Sequence, residues 1–338
     1  MENQIKPVDP AIVPQRKLSN GMLLPAVGIG TFGSDSISYE DVSIAIKDAI
    51  KKGYRHIDCA SVYGNEKHIG KVFKEIFEEG IIKREELWIT SKVWNNRHND
   101  VIASCKQSIE ELQCGYLDVY LTHWPFPNFH AEGVSVDSRD PHAKPYIHED
   151  FMKTWAQMEQ CQEMGLTKSI GTSNMTKAKM ELLLRDCKIR PVVTEMELHP
   201  HFQQTELFNY YMSEGIQPIG FCPIGSPNRP ERDKTAEDTV PIQDPVIVEI
   251  AKKHGVHPAV ICLKWAVQRG QAIIPFSIVP GEYMSNLVVG SQDLLTDEEM
   301  AAITATDKNC RFIKGQVFCW VGSEWQDLWD EDGTIKGW

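Results

Sequence analysis

Apolar positions come in short blocks separated by longer stretches of helical period. The blocks "AVGIG", "HIDCA", "LWITSK", "LDVYLTHW", "TKSIGTSN", "VVTEMELHP", "QPIGFCPIG" and "AIIPFSIVP" read as strands. Amphipathic stretches follow them: Tyr39–Lys52, a helix from Asn65, one from about Asn99, Glu149–Met164, Lys177–Arg185, Gln204–Glu214, the pair Pro245–His254 and Ala259–Gln268, and a short last helix. Ser38-x-x-Asp41 marks the start of the first helix as a capping box. Upstream, after a Pro-rich leader, "KLSNGMLLP" predicts a small hairpin turning at Asn20-Gly21.

Strict alternation of strand and helix implies parallel strands, and eight such units predict an α/β fold of the closed (β/α)8 TIM barrel type. No linker or compositional shift divides the chain, so residues 1–338 are expected to form a single domain, with a barrel core at about 18–305 and a tail at 306–338. The insertions Phe126–Glu149 and Ser226–Gln243 are expected to overhang the face where strands end, and so is the aromatic tail "FIKGQVFCWVGSEWQDLWDEDGTIKGW".

The net charge of −12, unbroken by a long basic run, argues against nucleic acid and anionic membrane as partners. Nine scattered cysteines without a C-x-x-C pair suit reduced thiols. No run is long and apolar enough for a signal peptide or a span, so a soluble cytoplasmic protein is expected.

"GIGTFG" (Gly28–Gly33) matches a dinucleotide-binding glycine pattern after a strand, but the helix that should open at the third glycine is delayed by "SDSIS". The stronger signal lies at the strand ends: Asp58 and Tyr63 in "HIDCASVYGNE", Lys92 in "ITSKVW" and His123 in "LTHWP". Each alone is an ordinary cap, rim or core residue. Together they form an acid–base device. A phenol titrates near ~10, a neighbouring ammonium favours its ionised form, and a carboxylate keeps that ammonium charged and oriented. A histidine alongside can orient a carbonyl oxygen. Such a device protonates an alkoxide as it forms and requires a hydride donor.

With these residues in place, the sequence resembles the aldo-keto reductases, most closely the aldose reductase branch, from about Leu18 to Leu287. The likeness is carried by "GIGTF", "GYRHIDCASVYGNE", "KREELWITSKVW", "LDVYLTHWP", "GLTKSIGTSN", "ELHP" and "PIGSPNRP". It implies an NAD(P)H-dependent reductase of aldehydes, aldoses and some ketones that is monomeric or weakly oligomeric, with Tyr63 as general acid, Asp58 and Lys92 tuning it, and His123 orienting the substrate carbonyl. It further implies that Ser173 and Asn174 hold the nicotinamide carboxamide, that Thr31, Asp58, Ser226, Ser277 and Asn286 contact the cofactor, and that Phe32, Trp94, His123 and Trp124 wall the substrate pocket.

Three departures qualify the likeness. Thr194-Glu195 stands where relatives have Asn-Gln, with Glu195 expected to accept from the carboxamide amino group, and Phe221 replaces a stacking tyrosine. In "IIPFSIVPGEYMSN", Phe276 and Glu282 occupy the positions of the lysine and arginine that hold the adenosine 2′-phosphate in NADP-using relatives. NADH is therefore expected over NADPH, unless Arg229 or Arg232 supplies a replacement cation. A metal at His199-x-His201 and a calcium loop at "DEDG" both lack the remaining ligands, and no metal is expected. The rival reading is a non-catalytic nucleotide-binding sensor or regulatory subunit on the same fold, against which the intact four-residue set argues.

Overall fold

Residues Gln15–Lys17 (β1) and Leu23–Pro25 (β2) pair antiparallel with Lys17 opposite Leu23, and Gly21 takes φ +87° in the connecting turn. This hairpin belongs to a computed structural model that describes residues 6–131, 135 and 137–336. Eight further strands follow: Ile29–Gly30 (β3), His56–Asp58 (β4), Trp88–Val93 (β5), Val119–Thr122 (β6), Ile170–Ser173 (β7), Val193–Glu197 (β8), Gln217–Phe221 (β9) and Ala272–Ile273 (β10). They form one sheet in chain order, every adjacent pair parallel. A parallel bridge between Val27 and Ile273 closes it, reinforced by Gly28 N–H donating to Ile273 O at 2.8 Å and Gly30 N–H to Pro275 O at 3.1 Å.

The helices are Tyr39–Lys51 (α1), Glu66–Glu78 (α2), Val101–Leu112 (α3), His148–Glu163 (α4), Lys177–Asp186 (α5), Thr205–Ser213 (α6), Pro245–His254 (α7), Pro258–Arg269 (α8), Pro280–Leu287 (α9), Asp297–Thr304 (α10) and Trp325–Leu328 (α11). Helix α3 opens at Val101 rather than Asn99, because a 3-10 turn at Asn95–Arg97 occupies the preceding residues. Half of the expected capping box is present: Ser38 Oγ accepts from Asp41 N–H, but the Asp41 carboxylate takes the Ser38 hydroxyl proton rather than the backbone N–H.

Strand alternation decides what faces inward. Along β6, Val119 and Leu121 join Leu18 and Leu24 of the hairpin in a cluster that fills the barrel interior, whereas Tyr120 packs outward against the helices. The same parity carries Asp58, Lys92, His123, Ser173 and Glu195 to the inner face at the carboxyl ends of their strands. The glycine pattern proves to be a packing feature. A Cβ on Gly28 would lie 2.6 Å from His56 Nδ1, and Gly33 leads into the 3-10 turn Ser34–Ser36.

Over the carboxyl end of the barrel, the tail returns as a folded segment. Phe318, Cys319, Leu328 and Trp329 bury against Trp124 and Phe126. No helix among the described residues is long and apolar enough to cross a membrane.

Candidate active site

Lys92 is the centre of the site. Its Nζ donates to both Asp58 oxygens at 2.7 Å and to Cys59 O at 3.0 Å, and lies 3.2 Å from Glu195 Oε2 and 5.3 Å from the centre of the Tyr63 ring. β4 supplies Asp58 and β5 supplies Lys92. Tyr63 ends the 3-10 turn Ser61–Tyr63, which Gly64 terminates in the left-handed region at φ +71°. Burial opposes the Lys92 charge, yet the neighbouring carboxylates outweigh it and hold the ammonium well above the ordinary lysine value.

One expectation is corrected here. The phenol of Tyr63 lies above, not below, its ordinary value: desolvation raises it more than the Lys92 ammonium lowers it. Lysine still acts in the expected direction, but it works against packing that the sequence does not display.

His123 follows β6 directly. Its ring meets Tyr63 edge-on at 5.9 Å and Trp94 at 5.1 Å. Burial, aided by Lys92, pushes its pKa well below the usual histidine value, so the ring is neutral. Its buried Nδ1 has no protein partner. Phe32 stands 5.1 Å from the Tyr63 ring, and Trp124 packs 4.8 Å from Phe318 and 5.4 Å from Trp329. Phe32 therefore stands beside Tyr63 and Trp94 beside His123, and Phe318 of the tail touches both Trp94 and Trp124.

The residues expected to hold a cofactor divide into two groups. Ser173 and Asn174 lie beside His123: Asn174 Nδ2 donates to His123 O at 2.9 Å and to Ser173 Oγ at 3.1 Å, and its Oδ1 is buried without a partner. Glu195 pairs across the sheet with Ser173, and its Oε1 is likewise buried and unpartnered. These orphaned acceptors fit the amino group of a carboxamide. Phe221 ends β9, half-buried, opposite Glu197. The Thr31 hydroxyl is committed to Asp58 O at 2.9 Å.

In the second group, Glu282 occupies the first turn of α9, where its Oε2 accepts from Ser277 Oγ at 2.7 Å, and Asn286 lies buried one turn later. Ser226 sits at φ +40° and its carbonyl accepts from Arg229. Arg229 itself is buried, paired with Asp238 and stacked 4.5 Å over Phe312. It is not poised as a replacement phosphate ligand, and the Arg232 side chain lies outside the described part of the structure.

His199 and His201 are both held by carboxylates, Glu197 at 3.0 Å and Asp244 at 3.0 Å. Sequence reasoning missed the role of Glu197. It accepts from the N–H groups of Phe312 and Ile313 at 2.7 and 2.8 Å and so anchors the start of the tail. Equally unforeseen is the contact of Glu195 with Lys92, although a carboxylate on the inward parity of β8 was the available clue.

The aldo/keto reductase family model matches residues 26–308. An aldo/keto reductase of Synechocystis is 38% identical over 318 residues, covering 93% of this chain and 95% of that protein. Aldo-keto reductase family 1 member A1 of Xenopus tropicalis is 38% identical over 299 residues, covering 88% and 89%. The NADP-dependent D-sorbitol-6-phosphate dehydrogenase of Malus domestica is 38% identical over 303 residues, covering 87% and 94%. A closed eight-stranded barrel and similarity along nearly the whole chain agree: this protein belongs to the aldo/keto reductase family.

Proposed function

We propose that the protein reduces aldehydes, aldoses and some ketones to alcohols with a nicotinamide cofactor, and that Tyr63 delivers the proton. The observation that carries this reading is the buried Asp58–Lys92 pair at 2.7 Å set beneath the Tyr63 ring, in a mouth walled by Phe32, Trp94 and Trp124. The cofactor supplies hydride when bound. Everything else falls to this chain. Neutral His123 donates a ring N–H to the substrate oxygen and fixes the carbonyl. Tyr63, held in the field of Lys92, gives its proton to the oxygen as negative charge develops there. Asp58 keeps Lys92 charged and in place. Ser173, Asn174 and Glu195 offer one hydroxyl and two free acceptors for the carboxamide.

NADH is the preferred cofactor in this proposal, because Phe276 and Glu282 put no cation and one anion where a 2′-phosphate is otherwise held. The Malus relative is named as NADP-dependent, so the preference is a departure within the family and needs its own test.

The experiment is a panel of aldehydes, aldoses and ketones assayed with NADH and NADPH side by side, for wild type and Tyr63→Phe. The Phe variant is expected to lose about two to four orders of magnitude in kcat with cofactor affinity little changed. Retention of more than about a tenth of wild-type kcat would remove Tyr63 as the proton donor. A wild type that binds NADH yet turns over no member of the panel would favour the sensor reading.

A further inference from the structure

The Lys92 ammonium faces two carboxyl groups. Asp58 takes it with both oxygens, and Glu195 approaches with Oε2 at 3.2 Å. All three side chains are almost fully buried. Fully ionised, the cluster would hold two negative charges against one positive, and such a surplus anion is strongly disfavoured in a buried site. Among the described residues no other cation contacts it. His123 is neutral and Tyr63 is a neutral phenol. Glu197, two residues along the same face of β8, is occupied by His199 and the Phe312 and Ile313 N–H groups. The flanking strands place uncharged Ser173 and Ile219 opposite Glu195.

We propose that Glu195 is a third, proton-carrying member of the Asp58–Lys92 pair, and that its proton sets how much of the Lys92 charge reaches Tyr63. With Glu195 protonated, Asp58 alone opposes Lys92 and the ammonium favours release of the phenolic proton. When Glu195 gives its proton to solvent, its negative charge raises the Tyr63 pKa further and the phenol becomes a weaker donor. Glu195 is thus a positioning residue acting through Lys92, distinct from its role as a carboxamide acceptor. The consequence for rate rests on Tyr63 being the donor, as proposed above.

Glu195→Gln keeps the shape and one acceptor oxygen but cannot ionise. The first measurement is the infrared difference spectrum of ligand-free wild type minus Glu195→Gln at neutral pH. A carboxylic-acid C=O band belonging to Glu195 is expected, while the Glu66 carboxyl, with a pKa raised to about 7, is common to both proteins and cancels. The second is the pH profile of kcat for carbonyl reduction. Wild type should lose activity on a basic limb, by about tenfold or more, and Glu195→Gln should lack that limb. In wild type alone, the infrared band should bleach over the same pH range, a comparison that needs no variant. The proposal is overturned if no acid band is lost in Glu195→Gln, or if the basic limb persists in it unchanged. A wild type that shows the band but turns over no carbonyl overturns the reductase reading, and with it the link to Tyr63.

Discussion

Glu66 lies one layer behind Lys92. Its carboxyl accepts from Ser91 Oγ at 2.6 Å and from Ser108 Oγ at 2.9 Å, and burial raises its pKa to about 7 despite both hydroxyls. Between the unfolded value of ~4.3 and about 7, the folded chain therefore binds more protons at this site than the unfolded one. The stability it contributes is complete below ~4 and is lost as pH rises through about 7, an effect on the order of 3 kcal/mol. In Glu66→Gln that loss should vanish, so its urea midpoint should gain on wild type between about pH 5 and pH 8. Parallel midpoint curves for the two proteins would show that Glu66 does not hold a proton. Tyr63 illustrates the same force in the site itself. Its partners Asp58, Lys92 and His123 were legible from strand-end positions. The direction of its pKa was not, since desolvation is a property of the packed barrel and not of any local motif.

At the level of elements, the proposed cofactor preference rests on the end of β10 and the start of α9. Glu282 is fixed near Ser277 by a 2.7 Å hydrogen bond in the first helical turn, Phe276 is half-buried beside the core, and Arg229 is held by Asp238. In the proposed site a dianionic phosphate would meet the Glu282 carboxylate, while Arg229 is already committed to Asp238. The combined penalty should be at least a few kcal/mol, about a hundredfold in kcat/KM against NADPH. The double variant Phe276→Lys/Glu282→Arg should recover much of it. A wild-type preference for NADPH above about tenfold, or a double variant that gains nothing with NADPH, would refute the assignment. Elements were the most legible level of the sequence, because apolar blocks and helical period alternate without interruption from β3 to α9. Boundaries were less so. β3 and β10 pair over only two residues each, since they close the barrel through the Val27–Ile273 bridge rather than through full ladders. Helix α3 starts late because a 3-10 turn intervenes, which no apolar period can signal.

For the whole molecule, the tail is the part least visible in the sequence. Its aromatic content predicted a fold-back over the mouth, but not the contacts that hold it. Glu197 binds the Phe312 and Ile313 N–H groups, and buried Lys179 on α5 pairs with Asp330 at 2.8 Å and donates to Leu328 O at 2.7 Å. Partners more than a hundred residues apart leave no local pattern. Removing the tail before Phe312 would strand both Glu197 and Lys179, so loss of stability would obscure any effect on substrate. Phe318→Ala separates the two effects, because Phe318 touches Trp94 and Trp124 at 5.8 and 4.8 Å but takes no part in either anchor. Bulky aromatic aldehydes should lose about 1–3 kcal/mol of transition-state binding, roughly tenfold or more in kcat/KM, as that wall recedes. Short aliphatic aldehydes reach less of the wall and should change by less than about threefold. Equal losses on short and bulky substrates would instead make Phe318 a structural support for the site, with no part in choosing what enters it.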